Sequence, residues 1–326
     1  MTPADDNENR LRPKTFDEYS GQTRIKENLA VYIQAARTRN EPLDHVLLSG
    51  PPGLGKTTLA RIIANAMGVA FVSTSGPAIE KSGDLVGILS ELQKGDVLFI
   101  DEVHRLRAQY EELLYSAMED YVVDVRIGSG PGSRTVPLTL EPFTLIGATT
   151  REGLLTQPLL TRFPIQAKLE YYSREEMAEI LSRASGILDI DIDENAALEI
   201  AGRSRYTPRI ANRLLARVRD FAQVSGETRI TLARAKISLE RENIDINGLC
   251  DLDRRLISAL LKAGRPVALK TLAAIIGEEP DTIEDVYEPF LLREGFVMKT
   301  PRGRIPGHRI QDEGGRYGVD KLPLFE

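Results

Sequence analysis

The chain is poor in the residues that staple or metallate small folds. Its 326 residues include one cysteine, Cys250, so no intramolecular disulfide framework can form. The histidines, His45, His104 and His308, are scattered, and with a single thiol they do not make a structural zinc site. Nowhere do apolar residues run together for the roughly eighteen positions a membrane helix needs. The start, MTPADDNENRLRP, lacks both the basic end and the apolar stretch of a secretory signal. We therefore expect a cytoplasmic protein that neither spans a membrane nor is exported. There is no excess of positive charge either: 42 Lys and Arg stand against 48 Asp and Glu, a net charge of −6. No overall field draws the molecule to nucleic acid, and any such contact must be local. Internal repeats and low-complexity tracts are also missing.

What is present is a division along the chain. At roughly 150 residues per domain the length allows two domains, or three small ones. Through about residue 170, strand and helix periods alternate, the pattern of a parallel sheet with flanking helices. Strands are expected at 46–50, 70–75, 96–101, 143–150 and 165–171, several of them nearly continuous apolar runs, as when both faces of a sheet are covered. From Ser173 the strand signal stops, and four stretches with helical periodicity suggest a small helical domain. After the loop DINGLCD, three helical stretches precede a Gly- and Pro-punctuated strand pair, FVMKTPRGRIPGHRI, the pattern of a winged helix-turn-helix. The expected domains are 1–172, 173–244 and 245–326.

Gly50-Pro51-Pro52-Gly53-Leu54-Gly55-Lys56-Thr57 is a P-loop placed directly after a strand and at the start of a helix. Gly53 and Gly55 let backbone N–H groups curl around phosphate, Lys56 reaches the β- and γ-phosphates, and Thr57 can ligate Mg²⁺, with Thr58 next in the same turn. ATP and Mg²⁺ are the expected cofactors. Forty-five positions after Lys56, the strand VLFI delivers Asp101 and Glu102 to its C-terminal end, where ligands of open α/β sheets collect. Asp101 is expected to hold Mg²⁺ through water and Glu102 to orient or deprotonate the attacking water, which argues for hydrolysis. Two acids capping the following helix are the blander alternative. Asp101-Glu102-Val103-His104 also spells the box of one helicase superfamily, but the chain turns helical too soon for that family's second nucleotide fold. The strand FTLIGATT ends in Thr149 and Thr150, either of which can reach the γ-phosphate or the water. Arg162, in PLLTRF, ends a short helix, and taken alone reads as a solvated charge. Arg209, in TPR, lies at a helix start, where a cation opposes the helix dipole and a phosphate partner explains it better than stability does.

Two further segments carry patterned chemistry. Val123, Val125 and Ile127 alternate with Asp124 and Arg126, and Val136, Leu138 and Leu140 with Thr135 and Thr139, around the turn GSGPGSR. This is a hairpin whose Pro137 suits an edge strand, and an ordinary core hairpin is its simplest reading. In the last domain the helix PDTIEDVYEPFLLRE carries Asp281, Glu284, Asp285 and Glu288, a surface that repels phosphates. The neighbouring wing has Lys299, Arg302, Arg304 and Arg309 with no acid between, so a DNA contact is expected there, mostly to phosphates and independent of sequence.

Together these motifs resemble the AAA+ ATPases and, more narrowly, the RuvB family of Holliday-junction branch-migration motors. The stretches LRPKTFDEYSGQ, TSGPAIEKSGDL, GDVLFIDEVHRL, AMEDYVVDVRIGSGPGSR, TPRIANRLLARVRDFAQV, GEEPDTIEDVYEPFLLREGF and TPRGR carry the resemblance over residues 11 to 304. It implies an α/β P-loop AAA+ core, a helical lid and a winged-helix head. It implies that Leu11 and Arg12 contact the adenine side, that Tyr172 lies near the base, that Thr150 is sensor 1 and Arg209 sensor 2. It makes Arg162 an arginine finger acting on ATP of the neighbouring subunit, places Glu119, Asp120 and Tyr121 near nucleotide, and matches Arg302 and Arg304 to a DNA-contacting motif. It implies a hexameric ring on DNA, with RuvA docked on the hairpin at Val123, Val125, Ile127, Val136 and Leu138, and RuvC resolvase as a further partner. A nucleotide-switched adaptor, similar to a clamp-loader or initiator subunit, is the competing expectation. Pro164 and Tyr206 stand where the family usually has glycine, and the tail after Arg304 departs from the common ending and receives no function.

Overall fold

The computed structural model describes residues 10–127 and 134–312. The turn residues 128–133 of the hairpin, and the tail from 313, lie outside the described residues. The chain divides into two units, Met1–Tyr172 and Ser173–Glu326.

The first unit begins with α1 (Thr23–Arg39) and β1 (Val46–Ser49), followed by α2 (Lys56–Met67), β2 (Phe71–Ser75), α3 (Ser82–Glu91), β3 (Val97–Asp101) and α4 (Ala108–Glu119). A hairpin, β4 (Val122–Ile127) and β5 (Arg134–Thr139), leads to β6 (Thr144–Thr149), the short α5 (Gln157–Thr161) and β7 (Ile165–Lys168). The strands β2-β3-β6-β1-β7 form one parallel sheet in that order. Its central strands are apolar along their whole length because helices cover both faces: every residue of β1 and β6 is buried. Leu98, Ile100, Leu114, Phe143, Leu145 and Phe163 belong to the core on one side. The strand order puts β6 between β1, which feeds the P-loop, and β3, which ends in Asp101. The threonines at the end of β6 therefore emerge between the two motifs.

The second unit starts with α6 (Arg174–Ile187), whose Ser173 and Glu176 form a reciprocal N-terminal cap, and continues through α7 (Glu194–Gly202), α8 (Pro208–Val224) and α9 (Leu232–Arg241). Leu181, Ile200, Leu214, Leu215 and Val218 fill its interior. The segment is not purely helical. Asp191–Ile192 (β8) and Arg229–Ile230 (β9) pair in parallel, which corrects the expectation that strands cease at Ser173. Two residues are too short for alternation to register, so pairing here comes from helix packing.

Next come α10 (Asp251–Ala263), α11 (Leu269–Ile276) and a helix in three parts: α12 (Pro280–Thr282), a π-turn (Ile283–Tyr287) and α13 (Glu288–Arg293). The widened turn precedes Pro289, which has no N–H to return to the Asp285 carbonyl, so the helix loosens where that bond would have been. The wing is β10 (Val297–Thr300) paired antiparallel with β11 (Gly303–Pro306), and α14 (His308–Asp312) follows. Leu256, Leu260, Leu272, Phe290 and Phe296 form the core beneath it. Gly303 is required by close approach: it has φ +136°, and a Cβ there would sit 2.4 Å from the Val267 carbonyl oxygen. Arg304 N–H in turn donates to Val267 O at 2.8 Å, adding a third edge to the wing.

Candidate functional site

β1 runs directly into the phosphate loop. Gly50, Gly53 and Gly55 have φ values of +139°, +81° and +95°, and a Cβ at Gly50 would lie 2.6 Å from the Leu169 carbonyl oxygen. Side chains are excluded from the curve, which leaves its N–H groups and the start of α2 for an anion. Lys56 is buried and its Nζ donates to Gly50 O at 2.7 Å and Pro51 O at 2.9 Å, so the ammonium is folded into the loop, on its own carbonyls. Thr57 and Thr58 follow in the first turn of α2.

Two tyrosines converge on the phosphate loop at the Leu54 carbonyl. Leu11 and Tyr172 are buried, and Arg12 is half-buried close to Leu11 in the chain. Tyr172 Oη donates to Leu54 O at 3.2 Å, and Tyr19 Oη donates to the same carbonyl at 3.2 Å. A Cβ at Gly55 would be 3.0 Å from Tyr19 Oη, so Tyr19 braces the phosphate loop from beneath. Burial, then the neighbouring Tyr172 phenol, push Tyr19 well above the ordinary tyrosine range, and it stays a neutral donor. Tyr19 was not singled out from the sequence, where nothing local distinguishes it.

Asp101 ends β3, and its Oδ1 accepts the Glu102 N–H at 3.0 Å. Glu102 takes a left-handed turn, φ 48°, which swings its carboxylate toward the end of β6. There Thr150 Oγ1 donates to Glu102 Oε2 at 3.1 Å, and His104 Nδ1 lies 3.2 Å from the same oxygen. His104 Nδ1 is also 3.0 Å from Thr149 Oγ1, which accepts the Arg151 N–H at 3.0 Å. The two threonines thus differ: Thr149 is fully buried and supports His104, whereas half-buried Thr150 holds the carboxylate. Among the described residues no cluster of three or more His, Cys, Asp or Glu could hold a metal. Thr57 and Asp101 suit Mg²⁺ of the kind that keeps its waters and phosphate ligands and needs no protein cage.

Arg162 is at the other end of the sheet. It caps α5 just before β7, whose first residue, Ile165, pairs with Val46 at the start of β1. The four residues of β1, about 13 Å of strand, separate this level from the P-loop. The guanidinium donates to Pro158 O at 2.8 Å and to Glu119 Oε2 at 2.9 Å. Asp120 caps α4 beyond Glu119, and Tyr121, at φ 52°, packs edge-on against Phe143. Glu119, Asp120 and Tyr121 therefore accompany Arg162 and not the P-loop of their own chain. Pro164 is exposed and stops α5 before the edge strand.

Arg209 is exposed in the first turn of α8, in the other unit. The turn before it contains two successive left-handed non-glycine residues, Arg205 (φ 55°) and Tyr206 (φ 58°). Both reach the winged domain. Arg205 pairs with buried Asp253 and donates to Gly248 O at 3.1 Å, and Tyr206 carries the Arg293 guanidinium 4.2 Å above its ring. Burial, then the Glu294 carboxylate, raise the Tyr206 phenol.

Three RuvB models match successive parts of the chain: Holliday junction DNA helicase RuvB P-loop domain over residues 11–169, RuvB AAA lid domain over 172–245, and RuvB C-terminal winged helix domain over 246–309. The chain belongs to the RuvB family. It is 55% identical over 322 residues to the Holliday junction branch migration complex subunit RuvB of Chlorobaculum parvum, covering 98% of this chain and 94% of that one. The subunit of the same name from Myxococcus xanthus is 58% identical over 301 residues, 92% of this chain and 88% of the relative. The solved RuvB Holliday junction branch migration motor of Thermotoga maritima superposes with a TM-score of 0.84 at 47% identity, over 93% of this chain and 98% of that one. A P-loop AAA+ domain, its lid and a winged-helix domain are the family's architecture.

Two surfaces differ from a sequence reading of this RuvB family member. The wing cations divide. Arg304 donates from Nε to Glu288 Oε1 at 2.6 Å and from Nη2 to Glu288 Oε2 at 3.2 Å, and Lys299 Nζ is 2.9 Å from Glu288 Oε2 and 3.2 Å from Glu284 Oε1. Arg309 pairs with Glu294 at 2.6 Å. The helix acids and the wing cations neutralise each other, so the uninterrupted positive stretch does not survive folding. Arg302, exposed at the turn between β10 and β11, has no side-chain ion pair among the described residues. In the hairpin, directly opposed pairs share a face: Val123 with Leu138, Val125 with Val136, Ile127 with Arg134. Val123 is 0% exposed in the core, which corrects its assignment as a partner contact, because the base of the hairpin packs against α4. Val125 and Leu138 are partly buried and Val136 is 43% exposed, so the apolar face emerges toward the tip. The side chain of Ile127 lies outside the described residues.

Proposed function

We propose that this chain is the ATP-hydrolysing subunit of a ring, expected to be a hexamer, that drives branch migration of Holliday junctions together with RuvA. The placement of Arg162 carries the reading: it stands at the sheet end opposite its own phosphate loop, so its phosphate partner belongs to a neighbouring copy. Residues 1–172 hold and cleave ATP, 173–244 form the lid with Arg209 as a phosphate sensor, and 245–326 grip DNA.

Lys56 exchanges the Gly50 and Pro51 carbonyls for β- and γ-phosphate oxygens, and Gly53, Gly55 and Thr58 hold the phosphates from the backbone. Thr57 and Asp101 would hold Mg²⁺, which would supply positive charge to offset that of the phosphates. Leu11, Arg12 and Tyr172 enclose the adenine side. Glu102 orients and deprotonates the attacking water; Thr150 and His104 both engage its Oε2, which leaves Oε1 to the water. Arg162, with Glu119, Asp120 and Tyr121, faces the neighbour's γ-phosphate. Arg302 leads the phosphate contact on DNA, with Lys299 and Arg304 behind it, and the hairpin face at Val125, Val136 and Leu138 receives RuvA.

The test is ATP-dependent strand exchange of a synthetic four-way junction by the purified chain with RuvA. Glu102→Gln is expected to bind ATP normally and to hydrolyse it about a hundredfold or more slowly. Hydrolysis by the unmutated chain without strand exchange would refute the motor and leave a nucleotide-switched adaptor.

A further inference from the structure

Arg162 is held in an unusual way for an exposed-edge cation. Its Nη1 is tied to Pro158 O on its own helix at 2.8 Å, and its Nη2 to Glu119 Oε2 at 2.9 Å, yet Nε is buried without an acceptor among the described residues. A ring lies against the group. The guanidinium carbon sits over Tyr115, 4.5 Å from the ring centroid, so the cation rests on the π face. Tyr115 is itself fixed. Its hydroxyl donates to Glu111 Oε2 at 3.1 Å and lies 3.0 Å from Thr156 Oγ1, and Thr156 Oγ1 donates to the same Glu111 oxygen at 2.8 Å. Glu111 is buried. Thr156 is the N-cap of α5, the helix that Arg162 terminates, so one buried carboxylate pins both the ring and the start of the helix bearing the arginine.

Glu111, Tyr115 and Glu119 are four residues apart and form one stripe of α4. They do different things to Arg162. Glu119 is 56% exposed and engages an edge donor, the same kind of donor a phosphate needs, so an incoming phosphate competes with it and displaces it. The ring attracts the cation through its π face and takes none of the hydrogen bonds that phosphate needs. It is the hold that persists when phosphate binds.

We propose that Tyr115, anchored by Glu111 and Thr156, is a positioning residue that keeps Arg162 aimed at the neighbouring subunit's γ-phosphate. The proposal rests on the reading of Arg162 as a finger acting between subunits. It assigns the carboxylate of Glu119 to the resting state and the tyrosine ring to the reacting state.

The experiment uses the full chain assembled with RuvA on a four-way junction, with steady-state ATP turnover and, separately, equilibrium binding of a fluorescent ATP analogue. Tyr115→Leu is expected to lower kcat about tenfold with ATP affinity unchanged, and Tyr115→Phe, which keeps the π face, to restore turnover to within about threefold of the parent. In an Arg162→Ala background, Tyr115→Leu is expected to cause no further loss of the residual rate, because the ring then has nothing to hold. An equal loss with and without Arg162 makes Tyr115 merely structural and overturns the proposal, as does an unchanged kcat in Tyr115→Leu alone. Tyr115→Met, which fills the volume without a π face, carries the same comparison should the leucine variant fail to assemble. If Arg162→Ala itself leaves turnover unchanged, the finger reading fails, and with it the premise.

Discussion

Arg304→Ala is a test of whether a wing arginine serves DNA or the fold. Glu288 is 0% exposed and Arg304 13% exposed, joined by two nearly parallel N–H···O bonds. Removing one partner of a buried pair typically costs about 3–5 kcal/mol, because the remaining charge stays in a dry site. Here Lys299 still reaches Glu288 at 2.9 Å, and one charge-assisted bond offsets part of that, leaving about 2 kcal/mol. Such a change corresponds to roughly a thirtyfold rise in local opening. Native-state hydrogen exchange on the full chain reads it: amides of α13 and β11 should lose about thirtyfold protection in Arg304→Ala. Replacing both partners together, Arg304→Met with Glu288→Leu, should recover most of it, since an apolar pair of similar volume is often neutral. Unchanged protection in Arg304→Ala alongside weaker DNA binding would refute the reasoning and make Arg304 a free phosphate contact.

Arg302→Ala, by contrast, should leave exchange unchanged while weakening junction binding alike for all sequences and lowering the salt slope by about 1 per subunit bound, measured by titration at several salt concentrations. Gly303→Ala should destabilise the wing by about 2–3 kcal/mol in thermal or urea unfolding, since its Cβ would meet Val267 O at 2.4 Å with the backbone at φ +136°. His45 predicts a pH effect. Its Nε2–H donates to Met118 O at 3.1 Å while Nδ1 accepts the Leu145 N–H at 2.9 Å, and burial lowers its pKa from the ordinary 6.5. A lowered base favours the neutral form in the fold, so its contribution is complete above pH 6.5 and is lost as pH falls through the lower folded value. Thermal melts of the first unit should therefore weaken below that pH, and His45→Gln should flatten the dependence.

The nucleotide site was legible because its signals are local. Glycine spacing, an apolar strand ending in two acids and a strand ending in threonines each fit within about eight residues, and strand polarity gathers them. Contacts between distant segments were not legible. The stretch from Lys299 to Arg309 reads as positive only along the chain; Glu288 and Glu284 come from the preceding helix and cancel most of it. Val123 alternates like its neighbours in the hairpin, and only the packing of the hairpin's base on the core separates it from Val136. Tyr206 was visible as a departure from the family's glycine, but its left-handed backbone and its stack beneath Arg293 need the fold. The structure gives that departure a physical role: strain of about 1 kcal/mol at a turn whose two side chains both reach the winged domain.

Sheet polarity finally ties chemistry to assembly. In a parallel sheet every strand presents the same end, so Lys56, Asp101, Glu102 and Thr150 share one end by necessity. Arg162 precedes a strand, where the others follow one, and so belongs to the opposite end. On the proposed reading of Arg162 as a finger, the molecule carries half of a site at each end and completes it by joining end to unlike end. Such heterologous contacts either close into a ring or propagate as a filament. Closure puts every phosphate loop opposite a finger, whereas any open array leaves one loop without a finger and one finger without a phosphate. Hydrolysis at every site is then a property of the closed ring, and a subunit carrying Arg162→Ala should silence its neighbour's site while its own remains competent.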